Sequence, residues 1–300
     1  MTAPPANTQA VHQGRYAFAA MVAGSVCLAF GPWLVRLADV APVASAWWRM
    51  LLAVPALLLL AGFGQGPGLG ATNRALCGLA ALAGLFFAAD LAVWHLGIMR
   101  TTLANATLLA NGATFLLPLY GLVVLRQKPG PASLLALALA AAGMALLVGR
   151  SADVSPRHLT GDLLCLAAAV FYTGYLIVMD RLRRSMAPMP SLALATLFGA
   201  AVLLPMALLE PGAFWPQDWT PVLGLAIGSQ VIGQGLIVYA VRHLSALVVG
   251  LTLLVQPAIS ATIGALRFAE MPGPHELAGA ALVVAALVLA RLPGPKTPNS

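Results

Sequence analysis

Charge is what this sequence has least of. Only 8% of its 300 residues are Asp, Glu, Lys or Arg, against about 25% in a soluble globular domain. Acids are scarcest, with 9 Asp and Glu beside 16 Lys and Arg. A soluble fold needs a solvated face, and a chain that is 60% hydrophobic has too little polar surface to make one. Cysteine is also rare. Cys27, Cys77 and Cys165 each lie inside an apolar run without metal-ligand spacing, so they read as small hydrophobic residues. There is no H-E-x-x-H, no nucleophile elbow and no pair of aspartate-rich motifs, which argues against an intramembrane enzyme. There is no P-loop either, which excludes ATP-driven pumping by this chain alone. No cofactor and no metal is expected. The net charge of +7 is not a nucleic-acid signal, because the basic residues are spread between apolar runs.

Those apolar runs are the positive content. They fall at 16–37, 43–63, 75–97, 102–124, 132–149, 159–180, 190–209, 219–241, 245–267 and 275–291. Each has about the 20 residues that a helix needs to cross a hydrocarbon layer of about 30 Å. The expected fold is an all-α integral membrane protein of ten transmembrane helices. A β-barrel would show short alternating segments instead. The first run exceeds a signal-peptide core of about 7 to 15 residues and is expected to be retained. The ends, Met1–Gly14 and Pro293–Ser300, are expected to be disordered tails. Ten of the 16 basic residues, the cluster Arg181, Arg183 and Arg184 among them, fall on the side of both termini. By the positive-inside rule that side is cytoplasmic, in the cell's inner (plasma) membrane.

One element occurs twice. Trp94–Pro131 returns, degraded, as Tyr239–Pro274. Each copy carries T-L-L, then an amide (Asn111, Gln256), then a helix weakener (Gly112, Pro257), and closes on P-G-P. Phe30–Pro42 likewise lies over Thr173–Pro188, sharing Gly31/Gly174 and the closing Ala-Pro. The chain thus divides into five-span halves, 1–149 and 150–300. Five is odd, so the second half enters from the opposite face and the halves form an inverted repeat, as in many secondary transporters.

These features, with the segment Arg36–Pro55 and the Leu-rich close of each half, resemble the drug/metabolite transporter superfamily in its ten-span form with two EamA-type modules. Within it the chain looks most like the YddG-type amino acid exporters. The resemblance implies export of aromatic and other amino acids. One departure stands out: second modules usually carry Gly-Glu at the end of the repeated run. Glu270 keeps the acid here, and the first module has Gln127 instead.

A polar side chain within a span is costly and usually faces the bundle interior. Asp90 and Trp94 are four residues apart and share a face with Phe86; His95 is turned away from Asp90. Asp90 reads either as a cavity acid for an ammonium or a proton, or as a structural acid paired with Arg49 or Arg100. Asn105, Thr107, Asn111 and Thr114 in the fourth span suit a zwitterion or serve as interhelical glue. Thr252 and Gln256 repeat that logic. Gln230 and Gln234 form an amide stripe, with Tyr239 beyond it. Trp33, Phe86, Tyr172 and Tyr175 could stack on an aromatic substrate or simply pack. Trp47, Trp48, Trp215 and Trp219 read as interfacial belt residues, and Arg49 as the ion-pair partner of Asp39. The first, third, fourth, sixth, eighth and ninth spans are expected to line a central cavity holding one buried acid. The fifth and tenth lie outside it. The expected partners are a small-molecule substrate, an amino acid or similar metabolite, and the lipid bilayer. A monomer is favoured. Drugs or other amphipathic metabolites are the alternative cargo, and a channel is the remaining class.

Overall fold

A computed structural model of the protein describes residues 6–63, 67–124, 126, 130–241, 243–244, 252–253 and 255–291. Gln127, Pro129, Arg242, Leu254, the start of the expected ninth span at 245–251 and the tail 293–300 lie outside the described residues.

Among the described residues every regular element is a helix. They are α1 (Ala6–Ala29), α2 (Gly31–Leu37), α3 (Pro42–Gly62), α4 (Arg74–Ile98), α5 (Leu103–Ala110), α6 (Ala113–Val123) and α7 (Pro131–Val154). There follow α8 (Pro156–Arg183), α9 (Pro188–Leu209), α10 (Thr220–Leu223), a π-helix (Gly224–Gly233), α11 (Gln234–Val241), α12 (Val255–Phe268) and α13 (Pro274–Arg291). Eight stretches among the described residues are long and apolar enough to cross a membrane, and they coincide with the first eight expected spans. Pro274–Ala286 is a shorter apolar helix at the tenth.

Local chemistry sets the starts. Pro42, Pro156 and Pro188 open their helices, where a missing N–H costs nothing. Asn73, Thr102 and Ser155 accept a backbone N–H three residues on, at 2.9, 3.2 and 3.2 Å. Two expectations fail here. Helix α1 begins at Ala6, well inside the expected tail. The connection expected at Arg150–His158 is helical on both sides of Ser155.

Close packing relies on glycine, as expected where lipid offers no hydrophobic drive between helices. A Cβ on Gly84 of α4 would lie 2.7 Å from the Ala195 carbonyl of α9. Gly143 of α7 and Gly279 of α13 each face the other's carbonyl oxygen. Helix α4 packs on α8 and α9, α3 on α9, α1 on the π-helix and α11, and α5 on α12.

Loops stitch the two ends of the bundle. At one end Ala41 N–H donates to Ala213 O at 2.8 Å, and Val43 N–H to Glu210 Oε2 at 2.7 Å. Asp39 is not the partner of Arg49. Its Oδ2 accepts Gln217 and Asp218 N–H at 2.9 and 3.0 Å. Nor do Trp47 and Trp48 sit in a lipid belt. Both are buried, and with Phe214 and Trp215 they clamp the same loop, Trp48 Nε1 donating to Phe214 O at 2.8 Å. Nearby, the Thr220 hydroxyl and N–H hold the exposed Asp218 carboxyl below the usual carboxylate range. At the other end Ala187 N–H donates to Pro67 O at 3.0 Å.

Candidate functional site

The helices break where the sequence weakens them, and the breaks gather around one cavity. Helix α1 stops at Ala29 before Gly31-Pro32, and the Ala29 carbonyl accepts the Ser260 hydroxyl at 3.1 Å. The fourth span breaks at Asn111-Gly112, where Gly112 N–H turns back to Leu109 O. The eighth span widens into the π-helix, which ends as Gln234 N–H reaches Ser229 O, five residues back. Such widened turns often mark functional sites.

The cavity measures about 570 Å³, within the usual range of about 300–1,000 Å³ for small-molecule sites. Its lining includes Arg49 and Trp94 as well as Leu117, Ile237 and Leu253. Its walls mix apolar side chains, such as Leu28, Phe87 and Leu176, with a short list of polar ones. Trp94 donates its indole N–H to Ala106 O at 3.2 Å, so its ring is the part left for a ligand. Gln234 lies beside the Tyr172 hydroxyl. Arg49 is only 2% exposed, and its Nε donates to Gln230 Oε1 at 3.1 Å. Gln230 Nε2 in turn donates to Thr196 Oγ1 at 3.3 Å. Among the described residues no ion pair joins Arg49 to Asp90, so their charged atoms stand more than 4.0 Å apart.

Of the residues singled out from sequence, Asp90, Trp94, Thr107, Asn111, Thr114, Tyr172, Gln234 and Gln256 line this cavity together. Others stand elsewhere. Gln230 sits behind the wall, bonded to Arg49. Tyr175 is buried, stacked on Phe87 at 4.6 Å and on Tyr172 at 5.5 Å, so it backs the wall. His95 is fully buried and shares a 2.8 Å hydrogen bond through Nδ1 with Ser45 Oγ, tying α4 to α3. Asn105 Nδ2 donates to Asp162 at 3.3 Å and borders a separate cavity of about 210 Å³. Trp33 lies under the Arg267 guanidinium, 5.9 Å away, and the half-exposed Tyr239 packs on the His243 ring at 5.1 Å.

Sequence reasoning missed three features. Arg49 and Phe87 line the cavity, the first from the second span, which was not expected to take part. Asp162 is a second buried acid; it is fully buried and bonded by the Thr101 hydroxyl and by Asn105. An acid within an apolar run was the available signal. The third is a clasp between Arg36 and Glu270. Arg36 Nη1 meets Glu270 Oε1 at 2.5 Å, Nη2 donates to Thr101 O at 2.5 Å, and Nε to Ile98 O at 3.1 Å. Glu270 Oε2 accepts Leu103 N–H at 2.8 Å, and the Phe268 ring lies 4.6 Å from the Arg36 guanidinium carbon.

Fold and cavity define a class: a multi-pass helical membrane protein with an internal cavity of mixed, mainly apolar lining. Within that class, residues 159–292 match the EamA-like transporter family. That stretch is 134 of the 300 residues, so the likeness covers the second half of the chain. A solved structure described only as the crystal structure of a protein has the same fold, with a TM-score of 0.62 at 22% identity, covering 95% of this chain and 98% of that one. No curated protein matches the sequence.

Proposed function

We propose that the protein is an inner-membrane secondary transporter that exports amino acids, aromatic ones included, by alternating access, in the manner of the YddG-type exporters. The observation that carries this reading is the make-up of the cavity. The repeated amides Asn111 and Gln256 both line it, together with Asp90, Gln234 and the aromatic walls of Phe87, Trp94 and Tyr172. Amides and an acid suit a zwitterion's head group, and the rings suit an apolar side chain.

Alternating access calls for two near-equivalent halves, here ten spans in two inverted sets, 1–149 and 150–300. Three observations support that. The bond from Ala41 N–H to Ala213 O has a counterpart from Ala187 N–H to Pro67 O, with donor and acceptor both shifted by 146 residues and the halves exchanged. The two non-glycine residues with positive φ among those described, Arg126 at 52° and Ala269 at 53°, lie 143 residues apart. The buried Ala136 and Ala140 of α7 recur at the same shift as Gly279 and Val283 of α13. With both termini cytoplasmic, the Arg36–Glu270 clasp closes the outer side.

The apolar share of the lining favours amphipathic metabolites as the second reading. Counterflow of a panel of amino acids and apolar cations in proteoliposomes, at two proton gradients, separates the two. Saturable exchange of amino acids is expected. Flux that does not saturate would mark a channel and overturn the proposal.

A further inference from the structure

We propose that Arg49 and Asp90 read the two charges of a zwitterion separately, the Arg49 guanidinium taking the substrate carboxylate and the Asp90 carboxylate taking its ammonium. This rests on the amino-acid reading above and adds a rule to it: one molecule must carry both charges.

Both groups are short of hydrogen-bond partners where they meet the cavity. A guanidinium has five N–H donors. That of Arg49 makes a single hydrogen bond among the described residues, through Nε, and Nη1 is buried without a partner. Asp90 is 7% exposed and accepts no hydrogen bond from any described residue. Leaving a buried charge short of partners is among the costliest arrangements a fold tolerates. The two groups line one cavity without touching. Gln230, itself anchored to Thr196, holds the guanidinium in place.

A zwitterion set in that gap completes a charge-assisted bond at each end and leaves the net charge of the cavity unchanged. An amine alone leaves Arg49 unmet, and an acid alone leaves Asp90 unmet. The head group is therefore read strictly, while the walls at Phe87, Trp94 and Leu176 accept many side chains. Gln230 acts as a positioning residue.

The test is competition against L-phenylalanine counterflow in proteoliposomes. For the wild type, L-phenylalaninamide and 3-phenylpropionate should each compete at least about 30-fold more weakly than L-phenylalanine, since each leaves a buried charge unpaired. Arg49→Gln should abolish the preference over the amide, Arg49→Lys should restore part of it, and Asp90→Asn should abolish the preference over the acid. Competition by either analogue equal to that of L-phenylalanine in the wild type would overturn the charge-pair assignment while leaving amino acid transport standing, even if no variant folds. So would an Arg49→Gln protein that still rejects the amide. Absence of any amino acid flux from the wild type would sink the functional reading and this inference together.

Discussion

Replacing Glu270 with Gln asks whether the clasp is a gate. Glu270 uses both oxygens, one for Arg36 Nη1 at 2.5 Å and one for Leu103 N–H at 2.8 Å. Gln has a single acceptor and no charge, so the variant keeps one of those bonds in neutral form and loses the other. The two side chains are only 12% and 17% exposed, so water screens the pair weakly. Hydrogen bonds to charged groups contribute about 1.5–3 kcal/mol against about 1 for neutral ones, so losing one bond and neutralising the other costs at least about 2 kcal/mol. The Arg36 bonds to Ile98 O and Thr101 O survive the change. If the clasp exists only while this end is shut, 2 kcal/mol raises the open population roughly 30-fold. The assay is thiol labelling of Leu91→Cys, a cavity position, with Cys27, Cys77 and Cys165 changed to Ala. A membrane-impermeant reagent applied from the Glu270 side should react at least about 30-fold faster in the Glu270→Gln protein. Arg36→Gln removes three bonds and should exceed that. Equal labelling rates in folded wild-type and Glu270→Gln protein would show that the clasp takes no part in opening.

Other outcomes test other layers. Ala269 holds φ at 53°, where a Cβ is crowded, so Ala269→Gly should stabilise the detergent-purified protein by up to about 1 kcal/mol, read as a rise in melting temperature. Gly84→Ala puts a Cβ 2.7 Å from the Ala195 carbonyl and the Gly199 backbone nitrogen, neither of which can move aside, and should cost about 1–3 kcal/mol in the same measurement. Asn111→Ala and Gln234→Ala each remove a lining amide and should lower amino acid flux about five- to tenfold at unchanged folded yield. Wild-type flux in both well-expressed variants would refute their place in the cavity.

The first eight spans, their order and the weak points at Gly31-Pro32 and Asn111-Gly112 were readable because length, apolarity and helix-breaking residues are local properties. The cavity was half readable. A step of four joined Asp90 to Trp94 correctly, but the same step brought in Phe86, which packs on Gly174 of α8 instead. Seven residues make nearly two turns and return to within about 20°, which is why Phe87 shares the stripe of Trp94. Arg49 was misread because Asp39 is its nearest acid in sequence. The structure spends that acid on the N–H groups of Gln217 and Asp218, from the far half of the chain. His95 and Asn105 are polar for structural reasons, as anchors for Ser45 and Asp162. Residue type alone does not separate an anchor from a ligand-facing group; the rotation of the helix against its neighbours does.

The crossed bonds between the halves also bear on how the protein is made. Ala41 and Arg36 emerge early from the ribosome, while their partners Ala213 and Glu270 come much later. At about 5–20 residues per second, synthesis runs for on the order of ten to fifty seconds between them. The bond from Ala187 to Pro67 needs less of the chain and is available sooner. The nascent protein therefore fastens one end of the bundle while the other still stands open, and the clasp at Glu270 is among the last contacts made.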